Sequence, residues 1–407
     1  MDTDPKHLKV LKFGGSSFLD LSDYTTVAAF LTRMLSCADT RIAVVVSGMS
    51  GSTGRLLEAA RSIDPHLQPQ VQDQVLATAE MVSASFLRAA LHAAGCPATD
   101  LWAPQAGIHS DGVAAQARIV SVDPRPLLDA FASHRVVVVA GGQAMDAGNR
   151  ITMLGRNSSD LTAVAVAAGL RTGRCDIFGD TPGVFTTDPH VVPSARLMPQ
   201  LTYRQCRGMS ESGAKVLHWG AVRYAQEHGV VIRCRQVAAA LSGGDEPGTA
   251  VGAGPGDTAV VGDARVRLYR LPPGRDIAAA ISDLSDVNLL AHAVEHRGTT
   301  LLAFPVGQEP GRALAESGLD AEPVDGLGMV SVVAPDGAVT RRLVALDAVD
   351  STVRSLHEEI HGTSALPGHS QVPSKARSRY SGLLLGAPGS AVDADAFIAA
   401  GRERPCG

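Results

Sequence analysis

Six short stretches of the chain carry residues that could do chemistry. The first is Lys12-Phe13-Gly14-Gly15-Ser16-Ser17, directly after the apolar run at Leu8 to Leu11. Glycines let backbone N–H groups approach an anion, and a lysine adds a point charge. The stretch therefore reads as a phosphate cradle at the end of a first strand, or more plainly as a turn. It is not a P-loop, because GxxxxGK[ST] is absent from the chain. The second stretch, SGMSGSTG from Ser47 to Gly54, also follows an apolar run. Two such loops can converge where open α/β folds bind ligands, or the second can be a plain flexible loop. In TAEMVSAS, Glu80 falls at helical spacing with Leu76, Leu87 and Leu91. A buried carboxylate needs a partner, so Glu80 could receive a substrate ammonium, or it could lie at the edge of the apolar stripe.

The fourth stretch runs from Ile151 to Leu170. Arg156 can grip a carboxylate bidentately, while Asp160 either caps a helix or holds a lysine in place. In DIFGDTPGVFTTDPH, a turn after Gly179 and Asp180 could hold a nucleoside, or be only a tight turn. Lys215, in SGAKVLHWGAV, could reach a phosphate or simply be solvated.

These residues need elements to position them. The chain has 407 residues, 45% hydrophobic and only 4% aromatic, enough for two or three domains with an Ala/Val/Leu core. Its formal charge of −5, without clustered basic residues, argues against a nucleic-acid partner. The N-terminal MDTDPKHLKV has no apolar signal region, and Val136 to Gly142 is far too short to span a membrane. The six cysteines lie far apart with no CxxC pair, so neither a zinc site nor a disulfide framework is expected, and a reducing cytoplasm fits.

Ile42 to Val46 and Val136 to Val139 read as buried parallel strands. Asp73 to Ala94 reads as a helix, as does Asp160 to Leu170 with Ser158 or Ser159 as N-cap. The alternation predicts an α/β sandwich with a mainly parallel sheet over residues 1–241. Residues 242–257 read as a Gly/Pro-rich linker. Beyond it, Ala264–Leu271, Val287–Val294 and Thr299–Pro305 read as strands, and Arg275–Leu284 as a helix, giving a small α+β region over 258–361. A last helix is expected from about Asp347 to Ile360, and the Ser/Pro/Gly-rich tail over 362–407 reads as disordered.

The order of these pieces resembles the aspartate kinases of the amino-acid kinase superfamily. The match runs through KFGGSS, VVVSGMSGSTG, AEMVSAS, Gln105-Ala106-Gly107, ITMLGRNSSDLTA, GDTPGVFTTDP, VVPSARLMPQLTYRQ and ESGAKVLH, with STVRSLHEEI echoing the family's closing helix. The resemblance implies an eight-stranded three-layer sandwich followed by ACT-type modules, the second one eroded. It implies transfer of the ATP γ-phosphoryl group to a side-chain carboxylate, with Mg2+ on the phosphates.

By matching positions, Lys12 would neutralise the transferring group, Gly14, Gly15 and Ser16 would donate to it, and Asp160 would orient Lys12. Ser47, Thr53, Glu80, Arg156 and Ser159 would hold the amino acid, with Glu80 on its ammonium and Arg156 on a carboxylate. Gly179, Asp180, Phe185, Asp188, His190 and Lys215 would hold ATP. A homodimer or larger homo-oligomer is implied as well. Three departures stand out: GRNSSD where the family reads GRGGSD, GDTPGVFTTDPH for TDVDGVYTADPR, and KVLHWGA for KVLHPRA. A related acceptor acid in a specialised pathway and a non-catalytic binding protein are the alternative readings.

Overall fold

The computed structural model describes residues 7–35, 39–155, 157–244, 247–305, 308 and 310–362. Arg156 and the tail from 363 lie outside them, so expectations about both rest on sequence alone.

In chain order the first half runs β1 (Leu8–Phe13), α1 (Leu21–Met34), β2 (Arg41–Val46), α2 (Ser52–Ile63), α3 (Pro69–Ala93), β3 (Ala98–Leu101), β4 (Ile108–Ser110), β5 (Ile119–Val122), α4 (Arg125–Ser133) and β6 (Val136–Ala140). There follow β7 (Gln143–Met145), β8 (Ile151–Met153), α5 (Ser159–Gly169), β9 (Arg174–Gly179), β10 (Val184–Phe185), β11 (Leu197–Met198), β12 (Gln200–Leu201), α6 (Tyr203–Glu211), α7 (Trp219–His228), β13 (Val231–Gln236), α8 (Val237–Ser242) and β14 (Thr249–Val251).

The main sheet has eight strands in the order β12-β14-β13-β9-β1-β2-β6-β3. Only β13 and β14 pair antiparallel. Side chains alternate across a strand, so Val10 and Leu11 belong to different faces. Val10, Val45, Val139 and Ile177 pack with Val164 of α5 and Val222 of α7. Leu11, Phe13, Val44 and Val138 pack with Val27 of α1 and Leu87 of α3 on the other side. The result is the expected three-layer sandwich. The same parity places Lys12 with Val10, on the α5 side.

Helix α5 is buried from Ser159 to Ala167, which is why its sequence is apolar nearly all round. Ser158 occupies its N-cap position without a side-chain capping bond. A smaller sheet, β5-β4-β7-β8, feeds the loop that leads into α5.

The stretch read as a linker is more than that. It contributes β14 to the main sheet, and buried Thr249 uses its hydroxyl twice, accepting from Val184 N at 2.8 Å and donating to Met198 O at 2.7 Å. Three residues between Gly/Pro-rich flanks give too short a pattern to read as a strand.

After β15 (Ala259–Asp263) come β16 (Arg267–Arg270), α9 (Ile277–Asp286), β17 (His292–His296), β18 (Thr299–Phe304), α10 (Pro310–Glu316) and β19 (Glu322–Val324), a βαββαβ unit with strand order β17-β18-β16-β19. The strand expected from Val287 begins only at His292, because Asn288 turns left-handed (φ 62°) and sends its side chain elsewhere. β15 pairs instead with β20 (Leu327–Val333), which pairs with β21 (Val339–Ala345), and α11 (Val349–His361) packs on them. This second, three-stranded sheet is assembled from strands on both sides of the first unit.

Candidate functional site

The carboxyl ends of β1, β2, β6 and β9 lie side by side, so the loops that follow them share one edge. After β1 the chain turns through a 3-10 segment at Gly15–Ser17, closed by Ser17 N–H on Gly14 O at 2.9 Å. A Cβ on Gly14 would come within 3.1 Å of Lys12 Nζ, and one on Gly15 within 3.3 Å of Gly48 O. The two glycines therefore let the first loop lie against both its own lysine and the second loop. Ser50 N–H on Phe18 O at 2.9 Å knits the loops further.

Lys12 Nζ sits 2.7 Å from Asp160 Oδ1, and both side chains are largely buried. Asp160 lies in the first turn of α5, where a carboxylate also suits the helix dipole. It is not merely a cap, because its Oδ2 accepts from His218 N–H at 3.2 Å. Desolvation holds the His218 imidazole down to about 4, against the pull of Asp160.

Helix α3 supplies the opposite wall. Glu80 is 7% exposed, Oε1 accepts from Gly48 N–H at 3.3 Å, and Oε2 is buried without a hydrogen-bond partner among the described residues. Burial pushes its carboxyl up to about 7, although the Gly48 N–H opposes the shift. An unfilled acceptor on a buried acid is suited to receive a cation. Ser83, one turn further on, donates to Ser47 O at 2.7 Å and shares a 2.8 Å bond with Tyr24 OH. Ser47 Oγ in turn meets Ser159 Oγ at 2.8 Å. Thr53, in the first turn of α2, flanks Gly48: a Cβ there would meet Thr53 Oγ1 at 3.3 Å.

The structure thus brings Lys12, Gly14, Gly15, Ser47, Thr53, Glu80, Ser159 and Asp160 to one place. Ser16 completes the first turn, its Oγ 3.9 Å from where a Gly14 Cβ would lie. Gly179 ends β9 beside Gly14, and Asp180 follows it, its carbonyl taking Gln236 Nε2 at 3.1 Å.

The remaining expected nucleotide residues are more spread. Lys215 is exposed on the loop before His218. Phe185 is half-buried in the short β10–β11 ribbon. Asp188 and His190 form a turn of their own, with His190 N–H on Asp188 Oδ1 at 2.8 Å. No hydrogen bond joins that turn to the Lys12–Asp160 pair among the described residues.

Several contributors were not singled out from sequence. Gly141 and Gly142 end β6 against α5: a Cβ on Gly141 would lie 2.7 Å from Ser159 Cβ, and Gly142 N–H donates to Thr162 Oγ1 at 2.8 Å. The Gly-Gly after VVVVA was the available signal. Ser83, Tyr24 and His218 carry no local signal, since each acts through a partner distant in sequence. The unusual Asn157 adopts φ 58°, and the Ser158 hydroxyl donates to Gly155 O at 2.7 Å, so this loop is held by side-chain bonds.

The sequence model of the Amino acid kinase family matches residues 7–236. An aspartokinase of Thermus thermophilus is 38% identical over 282 residues, 67% of this chain and 68% of that protein. Aspartokinase 2 of Bacillus subtilis is 38% identical over 230 residues, 56% of either chain. Among solved structures, E. coli aspartokinase III in complex with aspartate and ADP shares the fold, with a TM-score of 0.68 at 19% identity over 87% of this chain and 99% of its own. An aspartate kinase from Synechocystis matches with a TM-score of 0.52 at 26% identity, over 89% of this chain and 71% of its own. The family match covers more than half of the 407 residues, and with the Thermus similarity beside it the chain belongs to the Amino acid kinase family, among its aspartokinases.

Proposed function

We propose that the chain transfers the γ-phosphoryl group of ATP to the side-chain carboxylate of L-aspartate, giving 4-phospho-L-aspartate and ADP. The observation that carries this reading is the pairing of two opposite receptors on one edge: the Lys12 ammonium held by Asp160, and the buried Glu80 with an acceptor oxygen that has no partner among the described residues. Phosphoryl transfer asks mainly for positioning and charge neutralisation. A carboxylate oxygen of aspartate attacks the γ-phosphorus as the bond to the β–γ bridging oxygen breaks. Lys12 faces the charge on the transferring group, with Gly14, Gly15 and Ser16 as backbone and hydroxyl donors.

Glu80 takes the substrate ammonium, with Ser47, Thr53 and Ser159 beside it. Arg156 takes a carboxylate by the family resemblance. Gly179, Asp180, Phe185, Asp188, His190 and Lys215 are assigned to ATP on the same basis. Magnesium is expected with ATP, yet no group of three His, Cys, Asp or Glu side chains suited to a metal occurs among the described residues. Asp160 is taken by Lys12 and His218 N–H. By the family resemblance, the ion would come with the nucleotide.

The side chains of Asn157 and Ser158, in a loop where relatives of the resembled family carry glycines, favour a second reading: a kinase for a related acid. No helix among the described residues is long and apolar enough to cross a membrane. A homodimer or larger homo-oligomer is part of the proposal, and light scattering tests it. The decisive assay is ATP consumption with hydroxylamine as acyl-phosphate trap, across the common amino acids. A hydroxamate with aspartate supports the first reading; one with another acid supports the second; none with any acid overturns both.

A further inference from the structure

Asp73 stands outside every role assigned so far. It lies in the first turns of α3, is fully buried, and carries no ion pair among the described residues. Its carboxylate instead accepts three bonds from two main-chain N–H groups: Ala115 N to Oδ1 at 3.0 Å and to Oδ2 at 2.9 Å, and Met153 N to Oδ2 at 3.0 Å. Ala117 N–H on Met153 O at 2.9 Å closes the same joint from the other side. Ala115 is held at φ 67°, an uncommon conformation for a residue with a Cβ. Burial pushes Asp73 up to about 6 in spite of those donors. A buried acid is costly, so one spent on two backbone amides marks a joint whose geometry matters.

The position of that joint gives it meaning. Asp73 and Glu80 are seven residues apart on α3, so they share a helix face. Met153 ends β8, and the next residues run through the Asn157–Ser158 loop into Ser159 and Asp160. Leu154 N–H on Gly142 O at 2.9 Å starts that run. One face of α3 thus holds the second loop through Glu80 and Ser83, and the β8–α5 arm through Asp73.

We propose that Asp73 is a positioning residue for the amino-acid site: its carboxylate fixes the β8–α5 arm at the distance from Glu80 that the substrate spans. The inference rests on the aspartate kinase reading above. An amide at this position keeps one acceptor oxygen but turns an NH2 group toward a backbone N–H, so the arm shifts without loss of volume.

The test is steady-state kinetics of the full chain with Asp73→Asn and Asp73→Glu. In Asp73→Asn the KM for aspartate rises roughly tenfold while the KM for ATP stays within about twofold, because only the amino-acid arm is displaced. Asp73→Glu, which restores the charge, recovers part of the loss. Equal rises in both KM values, or an unchanged aspartate KM, overturn the proposal in favour of a purely structural role. If Asp73→Asn does not fold, amide exchange of the wild type replaces it. Saturating aspartate then slows exchange of the 113–117 segment, and ADP alone does not; no effect of aspartate there overturns the proposal. Wild-type protein inert with aspartate removes the functional reading and this inference with it, whereas active wild type beside a variant of unchanged aspartate KM removes the inference alone.

Discussion

Lys12 Nζ lies 2.7 Å from Asp160 Oδ1, joining the end of the first strand to the first turn of a buried helix. The pair sets the aim of the lysine. Asp160 also accepts from His218 N–H, so it remains held when the lysine is gone. Lys12→Ala should therefore lower kcat by about a hundredfold or more, as loss of one charge-stabilising group does, while far-UV circular dichroism stays native; the unfolding midpoint should fall, because Asp160 Oδ1 is left buried without its cation. A variant with wild-type turnover would sink the mechanism.

As the proposed ammonium receptor, Glu80 should make aspartate binding pH-sensitive in a defined direction. Its folded pKa is about 7, raised from 4.5 by burial. A carboxyl raised on folding favours its neutral form, so its contribution to apo stability is full below about 4.5 and is lost as pH rises through about 7. Substrate binding runs the other way, because the ammonium needs the ionised acid. Aspartate affinity should rise about tenfold between pH 6 and pH 8 and level off above. Burial pushes Asp73 on the same helix up to about 6, so the control is Glu80→Gln, which should bind aspartate weakly and keep only the roughly twofold rise that Asp73 contributes over that range. Titration calorimetry at three pH values reads both.

The glycine after β6 is a packing device. A Cβ on Gly141 would sit 2.7 Å from Ser159 Cβ and 2.9 Å from Val46 O, and neither backbone can retreat far. Gly141→Ala should cost about 1–3 kcal/mol through overpacking, and should raise the aspartate KM because Ser159 moves. Gly54 is the contrast. It lies within α2 with nothing within 4 Å of its missing Cβ, so Gly54→Ala should stabilise the fold by up to ~1 kcal/mol. Thermal unfolding of the two variants distinguishes a site glycine from an idle one.

Much of this arrangement was legible because it is local. Strand–helix alternation and the buried valine runs gave the sandwich, and Gly-rich loops after strands gave the site edge. Glu80 and Asp160 were legible as candidates from their own segments, but the pairing of Asp160 with Lys12 came only from the family resemblance. Whether Asp160 caps its helix or holds Lys12 depends on a partner at the far end of the sequence, which no local pattern encodes. Asp73 was read only as the start of a helix, since its three bonds go to backbone amides of distant segments and leave no trace in residue type. The strand at Thr249–Val251 was hidden by its Gly/Pro flanks. The interleaving of β15 with β20 is likewise a matter of topology, invisible to periodicity.

The last relationship joins the small modules to the proposed nucleotide segment. His357 of α11 is 2% exposed, and its Nε2 meets Thr186 Oγ1 at 2.9 Å, next to Phe185 and close in sequence to Asp188. The Thr186 hydroxyl also accepts from Arg196 N–H at 3.1 Å, and Arg196 reaches His361 Nδ1 at 2.7 Å. One hydroxyl thus ties the strap between β10 and β11 to the closing helix. Burial, then His361 and Arg196, lower the His357 pKa to about 4. The imidazole is therefore neutral in the fold, and its contribution is lost as pH falls from about 6.5 toward 4, where the unfolded chain takes up the proton first. Thr186→Val keeps the shape but leaves His357 Nε2 buried and unpaired, which costs about 1–3 kcal/mol. The strap carries Phe185, Asp188 and His190 but none of the amino-acid contacts, so the ATP KM should rise more than the aspartate KM. A larger effect on aspartate, or none on either substrate, would remove the strap from the nucleotide site and leave Thr186 as a joint of the fold alone.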